Sequence, residues 1–323
     1  MKRKTLLIGL VVIAILLIGA ARLYFSNTDF GLDNPYWNGI DYLSTGVNAH
    51  PLYDVSGLPV IAGNTTLLVA GPQTNFTAAE SGSVLSFLNR GGTVVVMDDF
   101  GDANSLLSGI DAPVQVRQVP ICDLKDFYMN YSFPIISTFS PSPYFVNVSS
   151  IVLNYPASLN VSGSATVLAT TSDTAWLDYN DNSKLDGNEK LGTYPVMAIN
   201  NYSYGGRLIV ISDPDILINS MLDKGDNKVF IADLLAGNVL VDVSHNGGVA
   251  PLDALYFDIK GQILVQLFLV AIVMACGLAF AWRRLILALM QKLIAKVRLN
   301  NINKRLMAFA EARLPLRGKI LKK

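Results

Sequence analysis

Between Thr66 and Ile110 the apolar residues form two unbroken runs, TLLVA and TVVVM, and between those runs they recur at every third or fourth position. A run without polar alternation predicts a strand covered on both faces, and the spacing of Val84, Leu85 and Leu88 predicts a helix laid against the sheet. Thr77 stands three residues before Glu80, so each can satisfy the other's backbone N–H in a capping box that starts this helix. Gly91-Gly92 ends it. The same grammar returns late in the chain, where RLIVI ends at Asp213 and Asp215 and a helical spacing runs from Lys228 onward. Between Ile110 and about Asn200, short runs such as SIVLNY and ATVLATT lie among Ser, Pro and Asn, which predicts a small sheet added to the main one. FGLDNPYWNGIDYL, from Phe30 to Leu43, is expected to enter the folded domain with Trp37 buried.

Hydropathy and charge add a placement. MKRK precedes an apolar run from Thr5 to Ala21, which fits an anchor or, with Gly19-Ala20-Ala21 as its cleavage site, a secretory signal. The anchor is the reading taken. Ile263 to Trp282 carries no charge and is followed at once by Arg283-Arg284, as in a stop-transfer helix. The tail 283–323 has twelve Lys or Arg against one Glu, whereas 22–262 has ten against twenty-four acids. The positive-inside rule then predicts a two-pass plasma-membrane protein, with residues 1–4 and 283–323 cytoplasmic, spans at 5–21 and 263–282, and 22–262 outside. The acidic middle region argues against nucleic acid as a partner. The tail reads as a basic amphipathic helix on membrane lipids of the inner leaflet, with docking to an envelope or cytoplasmic protein as the other reading.

GPQTNFTAAE and FLNRGGTVVVMDDFGDANSLL, followed by GRLIVISDPDILINSML, resemble an uncharacterised prokaryotic, archaeal family of membrane-anchored proteins with a class I glutamine-amidotransferase-like domain. The resemblance spans roughly Asp33 to Val243. It implies an α/β fold: a flavodoxin-like three-layer sandwich resembling class I glutamine amidotransferases, with a β-rich insertion, between two transmembrane helices. The enzymes need a cysteine on a strained strand-to-helix turn, activated by a histidine. The turn after TVVVM reads DDFGD instead, Cys122 has no elbow glycines, and His50 and His245 stand in loop-like text as surface or loop side chains. A catalytically silent domain is expected. Cys122 and Cys276 fall in different compartments on this reading and cannot pair, so both are expected as small buried side chains.

Two candidate sites remain. DYNDNSKLDGNE places Asp178, Asn180, Asn182, Lys184, Asp186 and Glu189 at positions one, three, five, seven, nine and twelve of a calcium loop, with Lys184 needed only for its carbonyl. A structural Ca²⁺ is the expectation, although Ser183 stands where glycine is usual. The plainer reading is a polar hairpin tip. The second site is Asp98, Asp99, Asp213 and Asp215, since ligands of open α/β sheets bind beyond the carboxyl ends of the strands. These acids could meet a cation or a hydroxylated ligand, or could cap the helices that follow. Asn-x-Ser/Thr sequons at Asn64, Asn75, Asn130, Asn147, Asn160 and Asn201 would suit a glycoprotein. The expected function is a non-catalytic ligand- or partner-binding scaffold of the cell envelope, possible in a transport or assembly system. The alternative is an extracytoplasmic, metal-assisted hydrolase using the strand-end acids.

Overall fold

The two apolar runs become neighbouring parallel strands at the centre of an eight-stranded sheet. The computed structural model describes residues 28–246 and 263–317. In chain order the first strands are β1 (His50–Leu52), β2 (Thr65–Ala70), β3 (Thr93–Met97), β4 (Val114–Val116), β5 (Ile121–Asp123), β6 (Ile135–Ile136) and β7 (Thr138–Phe139). The rest are β8 (Ile151–Val152), β9 (Leu159–Val161), β10 (Thr166–Thr170), β11 (Ala175–Leu177), β12 (Pro195–Asn201), β13 (Arg207–Ile211) and β14 (Asn238–Asp242). Helices α1 (Asp41–Gly46), α2 (Ala78–Asn89), α3 (Ala103–Gly109) and α4 (Asn227–Leu234) belong to the same unit, within residues 25–251, and α5 (Ile263–Arg317) to a second unit.

The main sheet runs β1-β14-β2-β3-β13-β12-β10-β7. Its first five strands are parallel, and β12, β10 and β7 extend it by antiparallel pairing. Successive side chains of a strand point to opposite faces, and both faces are buried. Leu67 and Val69 of β2, with Val94 and Val96 of β3, pack against Val84, Phe87 and Leu88 of α2 and Leu106 of α3. Leu68, Val95 and Met97 join Phe230, Ile231 and Leu234 of α4 on the other side. Burying each such Leu or Val stabilises the fold by roughly 1.5–3 kcal/mol, which is why these strands carry no polar alternation.

The capping box forms as the spacing predicts: the Glu80 N–H donates to Thr77 Oγ1 at 3.3 Å, and the Thr77 N–H donates to Glu80 Oε2 at 2.7 Å. Gly91 follows α2 at φ +92°, where a Cβ would stand 2.7 Å from the Tyr204 carbonyl oxygen, so the chain turns there only with glycine.

Several expectations are corrected. In place of a flavodoxin-like three-layer sandwich resembling class I glutamine amidotransferases, the chain builds a large mixed sheet with few helices. The reason lies in the stretch expected to add a small sheet to the main one: β7, β10 and β12 hydrogen-bond onto β13, so the β-rich text lengthens the main sheet by three antiparallel strands. Three two-stranded pairs, β11-β5, β4-β9 and β6-β8, complete that region. Trp37, expected inside, is 69% exposed.

The membrane placement is also corrected. The proposed span 5–21 lies outside the described residues. Ile263 to Trp282 is the start of α5, which continues unbroken for 55 residues through Arg283-Arg284 and the basic turns beyond. Among the described residues no helix is long and apolar enough to cross a membrane, so two transmembrane helices and a two-pass plasma-membrane protein are not supported.

Candidate functional site

Parallel pairing puts the carboxyl ends of β2, β3, β13 and β14 on one edge, and the four strand-end acids gather there. Ile211 pairs with Met97, so Asp99 and Asp213 stand at corresponding positions just beyond adjacent strands. The Asp98 N–H donates to the Ile211 carbonyl at 3.1 Å and prolongs the ladder by one residue.

The two buried acids of this group hold the turns. Asp98, 1% exposed, accepts the Gly101 N–H at Oδ1 (3.0 Å) and the Ala103 N–H at Oδ2 (3.1 Å), which fixes the turn that opens α3. A Cβ on Gly101 would lie 2.4 Å from the Pro72 carbonyl oxygen and 2.5 Å from Asp98 Oδ1, so this close turn requires glycine. Asp213, with no exposure, accepts the Asn154 N–H at 2.6 Å and the Asp215 N–H at 2.8 Å. Asp99 and Asp215 are half-buried. Asp215 Oδ2 accepts the Asn154 side-chain amide at 2.6 Å, and Asp99 Oδ1 accepts the Phe100 N–H at 2.6 Å.

Crowding four carboxyls at the end of an apolar sheet makes ionisation costly. Burial, and then the neighbouring Asp99, push Asp98 up to about 6. Burial, followed by the charges of Asp99 and Asp29, pushes Asp215 up to about 6. Asp213 is raised well above the usual carboxylate range by burial and then by Asp215, and burial also raises Asp99. Aromatic rings border the group: Phe100 and Tyr155 lie 5.3 Å apart between centroids, tilted by 44°.

The loop 178–189 reaches the same neighbourhood, because the Tyr155 hydroxyl donates to Asp181. Its acids, however, bind the loop's own donors. Asp178 accepts from the N–H groups of Asn182 (3.2 Å) and Ser183 (2.6 Å). Glu189 accepts from those of Tyr179 (2.9 Å) and Asp186 (3.0 Å). The side-chain amides of Asn180 and Asn182 donate to Asp186 Oδ2 at 2.8 and 2.9 Å, so their NH₂ groups face the place where ligand oxygens were expected. Lys184 contributes its N–H to Asn182 Oδ1 at 2.8 Å. Ser183 adopts φ 54°, the left-handed turn for which glycine is usual. Among the described residues no group of three or more His, Cys, Asp or Glu is placed to hold a metal ion, and the calcium-binding loop is corrected to a self-bonded polar turn. Cys122 adjoins this loop through Ser132, whose hydroxyl lies 3.6 Å from its Sγ and 3.3 Å from Ser183 Oγ. Burial pushes the Cys122 thiol up to about 11, opposite to what a nucleophile needs.

Just beyond the carboxyl end of β14, in the loop where sequence reasoning expected a surface or loop side chain, stands a buried histidine. His245 is 4% exposed, its Nδ1 lies 2.6 Å from Asp242 Oδ2, and its ring stacks on Phe76 with centroids 3.6 Å apart. Its Nε2 stands 3.7 Å from Glu80 Oε2, tying β14 to the capped end of α2. Ser244 Oγ bonds Asp242 Oδ1 (2.5 Å) and His245 Nδ1 (3.1 Å). The signal available in sequence was VLVD, another apolar run ending in an acid.

Residues 34–235 match the family described as Domain of unknown function (DUF4350). The chain belongs to this family. No curated protein matches the chain. Among solved structures, the mmIFT52 N-terminal domain is similar at 19% identity over 52% of this chain and 74% of its own, with a TM-score of 0.41. A cytoplasmic protein, STM1381 from Salmonella typhimurium LT2, is similar at 10% identity over 61% and 78%, with a TM-score of 0.36. An exo-beta-1,4-mannosidase, Op5Man5 from Opitutaceae bacterium strain TAV5, is similar at 13% identity over 58% of this chain and 25% of its own, with a TM-score of 0.28. The matched span of the DUF4350 domain contains the four strand-end acids and the loop 178–189, whereas Asp242 and His245 lie beyond it. Two clefts of the domain, of about 610 and 380 Å³, are lined by neither group of acids.

Proposed function

We infer that the DUF4350 domain of this chain is a non-catalytic binding module that meets its ligand or partner at the carboxyl edge of the sheet. The observation that carries this is the division of labour among the strand-end acids. Asp98 and Asp213 are buried and bonded to the N–H groups of their own turns, so they shape the edge and are closed to a substrate. Asp99 and Asp215 are the half-exposed pair on the outer side, with Phe100 and Tyr155 beside them. Carboxyls next to aromatic rings suit a ligand that offers hydroxyl or ammonium groups on an apolar frame.

A second reading, a hydrolase, is favoured by one observation: Asp215, half-buried at the edge, is raised to about 6, where a carboxyl can exchange protons near neutral pH. One pair of experiments separates the two. Melting curves of the full chain are recorded with monosaccharides and with polyamines, for wild type and for Asp99→Asn/Asp215→Asn. Binding predicts a concentration-dependent rise that the double variant loses. Turnover of p-nitrophenyl esters, phosphates or glycosides that disappears in Asp215→Asn would instead establish the hydrolase.

A further inference from the structure

The second unit carries a feature that the binding module does not use. Residues 283–317 of α5 hold nine Lys or Arg against one Glu. Along one side Leu289, Met290, Leu293, Ile294 and Val297 are each more than half exposed. At 3.6 residues per turn these five positions fall within an arc of roughly 140°. Lys296 borders one edge of that arc and Arg298 the other, with Lys292 behind Lys296, and all three are exposed. Single exposed apolar side chains are ordinary, but a continuous stripe of five asks for a cover.

The pattern selects among covers. Beyond Val297 the exposed Leu299, Ile302 and Leu306 fall on the opposite side of the helix and Met307 returns to the arc only about three turns on, so the stripe is interrupted and no continuous seam runs the helix for a partner helix to follow. A basic surface also repels a second copy of itself. A plane of anionic headgroups above acyl chains fits both features: the cations at each border meet the headgroups, while the stripe between them sinks to the acyl boundary. The long stems of Lys and Arg let their charges stay in water as the stripe is buried. We propose that residues 289–298 of α5 bind the surface of an anionic lipid bilayer, with the helix lying in the plane of that surface and not crossing it. This is independent of what the carboxyl edge of the sheet binds.

The test uses the full chain with Cys122→Ser and Cys276→Ser, and a polarity-sensitive fluorophore attached at Leu293→Cys, inside the stripe, or at Ala295→Cys, opposite it. Vesicles are phosphatidylcholine alone or with about one third phosphatidylglycerol. The expected result is a blue shift at position 293 and not at 295, with anionic vesicles only, reversed by high salt. Each cation near such a surface changes affinity by about fivefold, so Lys296→Glu/Arg298→Glu is expected to weaken binding by at least about 25-fold. Equal shifts at both positions, equal binding to neutral vesicles, or an unchanged affinity in the charge-reversed chain would overturn the proposal. So would a shift at 293 that needs no vesicles and grows with protein concentration, since the cover would then be another copy of the chain.

Discussion

Asp213 and Asp186 are both aspartates in polar turns that accept two hydrogen bonds, yet their proton affinities move in opposite directions. Asp213 sits without exposure at the end of an apolar sheet beside Asp215, and burial raises it far above the ordinary carboxylate range. Asp186 stands in the loop 178–189, where the amides of Asn180 and Asn182 hold it below that range. Residue type and hydrogen-bond count are the same, so the surroundings decide: the sheet end removes water and adds like charge, and in the loop the two donors outweigh the smaller loss of water. Acids of the first kind keep shape and protons together. Those of the second only close a turn.

The largest break in this comparison is expected from Asp213→Ala. Removing the carboxyl leaves the N–H groups of Asn154 and Asp215 without their acceptor in a half-buried turn, at about 1–3 kcal/mol each, so a loss of about 4 kcal/mol is expected in urea unfolding. A loss below about 1 kcal/mol would mean that water replaces the carboxyl and that the strand ends are open.

The next effect is a dependence on pH. A carboxyl whose folded value is raised stabilises the fold most below its unfolded value and loses that contribution as pH rises through the folded value. For Asp98 the window runs from 3.8 to about 6, and the loss across it is on the order of 3 kcal/mol. Asp98→Asn cannot titrate, so its stability curve is expected to be flatter by that amount between pH 4 and 6, measured by denaturant midpoints at each pH. Parallel curves would remove Asp98 from the group of desolvated acids.

Asp178→Ala gives a smaller effect of about 1 kcal/mol. Asp178 itself is buried, but its two donors are the N–H groups of exposed Asn182 and half-buried Ser183, where water can take over. Hydrogen exchange at these two amides should rise in the variant while the amides of β13 keep their protection, which confines the damage to the loop.

How far the sequence revealed this contrast depended on the range of the contacts involved. TLLVA, the capping box at Thr77 and Glu80, TVVVM and RLIVI were legible because unbroken apolar runs and a three-residue cap are local signals. The four acids could be placed on one edge because each follows a strand of the same sense. What could not be read comes from contacts between distant residues. Asp29 raises Asp215 across the fold, His245 stacks on Phe76 from another strand end, and β7, β10 and β12 find their antiparallel order on the edge of β13. The loop misled for a different reason. Calcium-loop spacing and a self-bonded turn draw on the same Asp and Asn residues, and only the direction of the Asn amides separates them.

Asp186→Asn is the mildest of these changes and the most direct check on the loop. Its carboxylate accepts two side-chain amides, with Asn180 the larger influence and Asn182 the next, and both lower its proton affinity. The sign is the reverse of Asp98: this contribution is present above the unfolded value of 3.8 and is lost as pH falls through the lowered one. At pH 7 the melting temperature of Asp186→Asn should match wild type, because water still reaches this half-buried acid and the substituted amide still offers an oxygen. Below pH 4 the variant should lose stability less steeply than wild type. A drop at pH 7 as large as that of Asp178→Ala would show that Asp186 organises the whole turn, and the loop would then belong with the strand-end acids as a shaping element and not as their opposite.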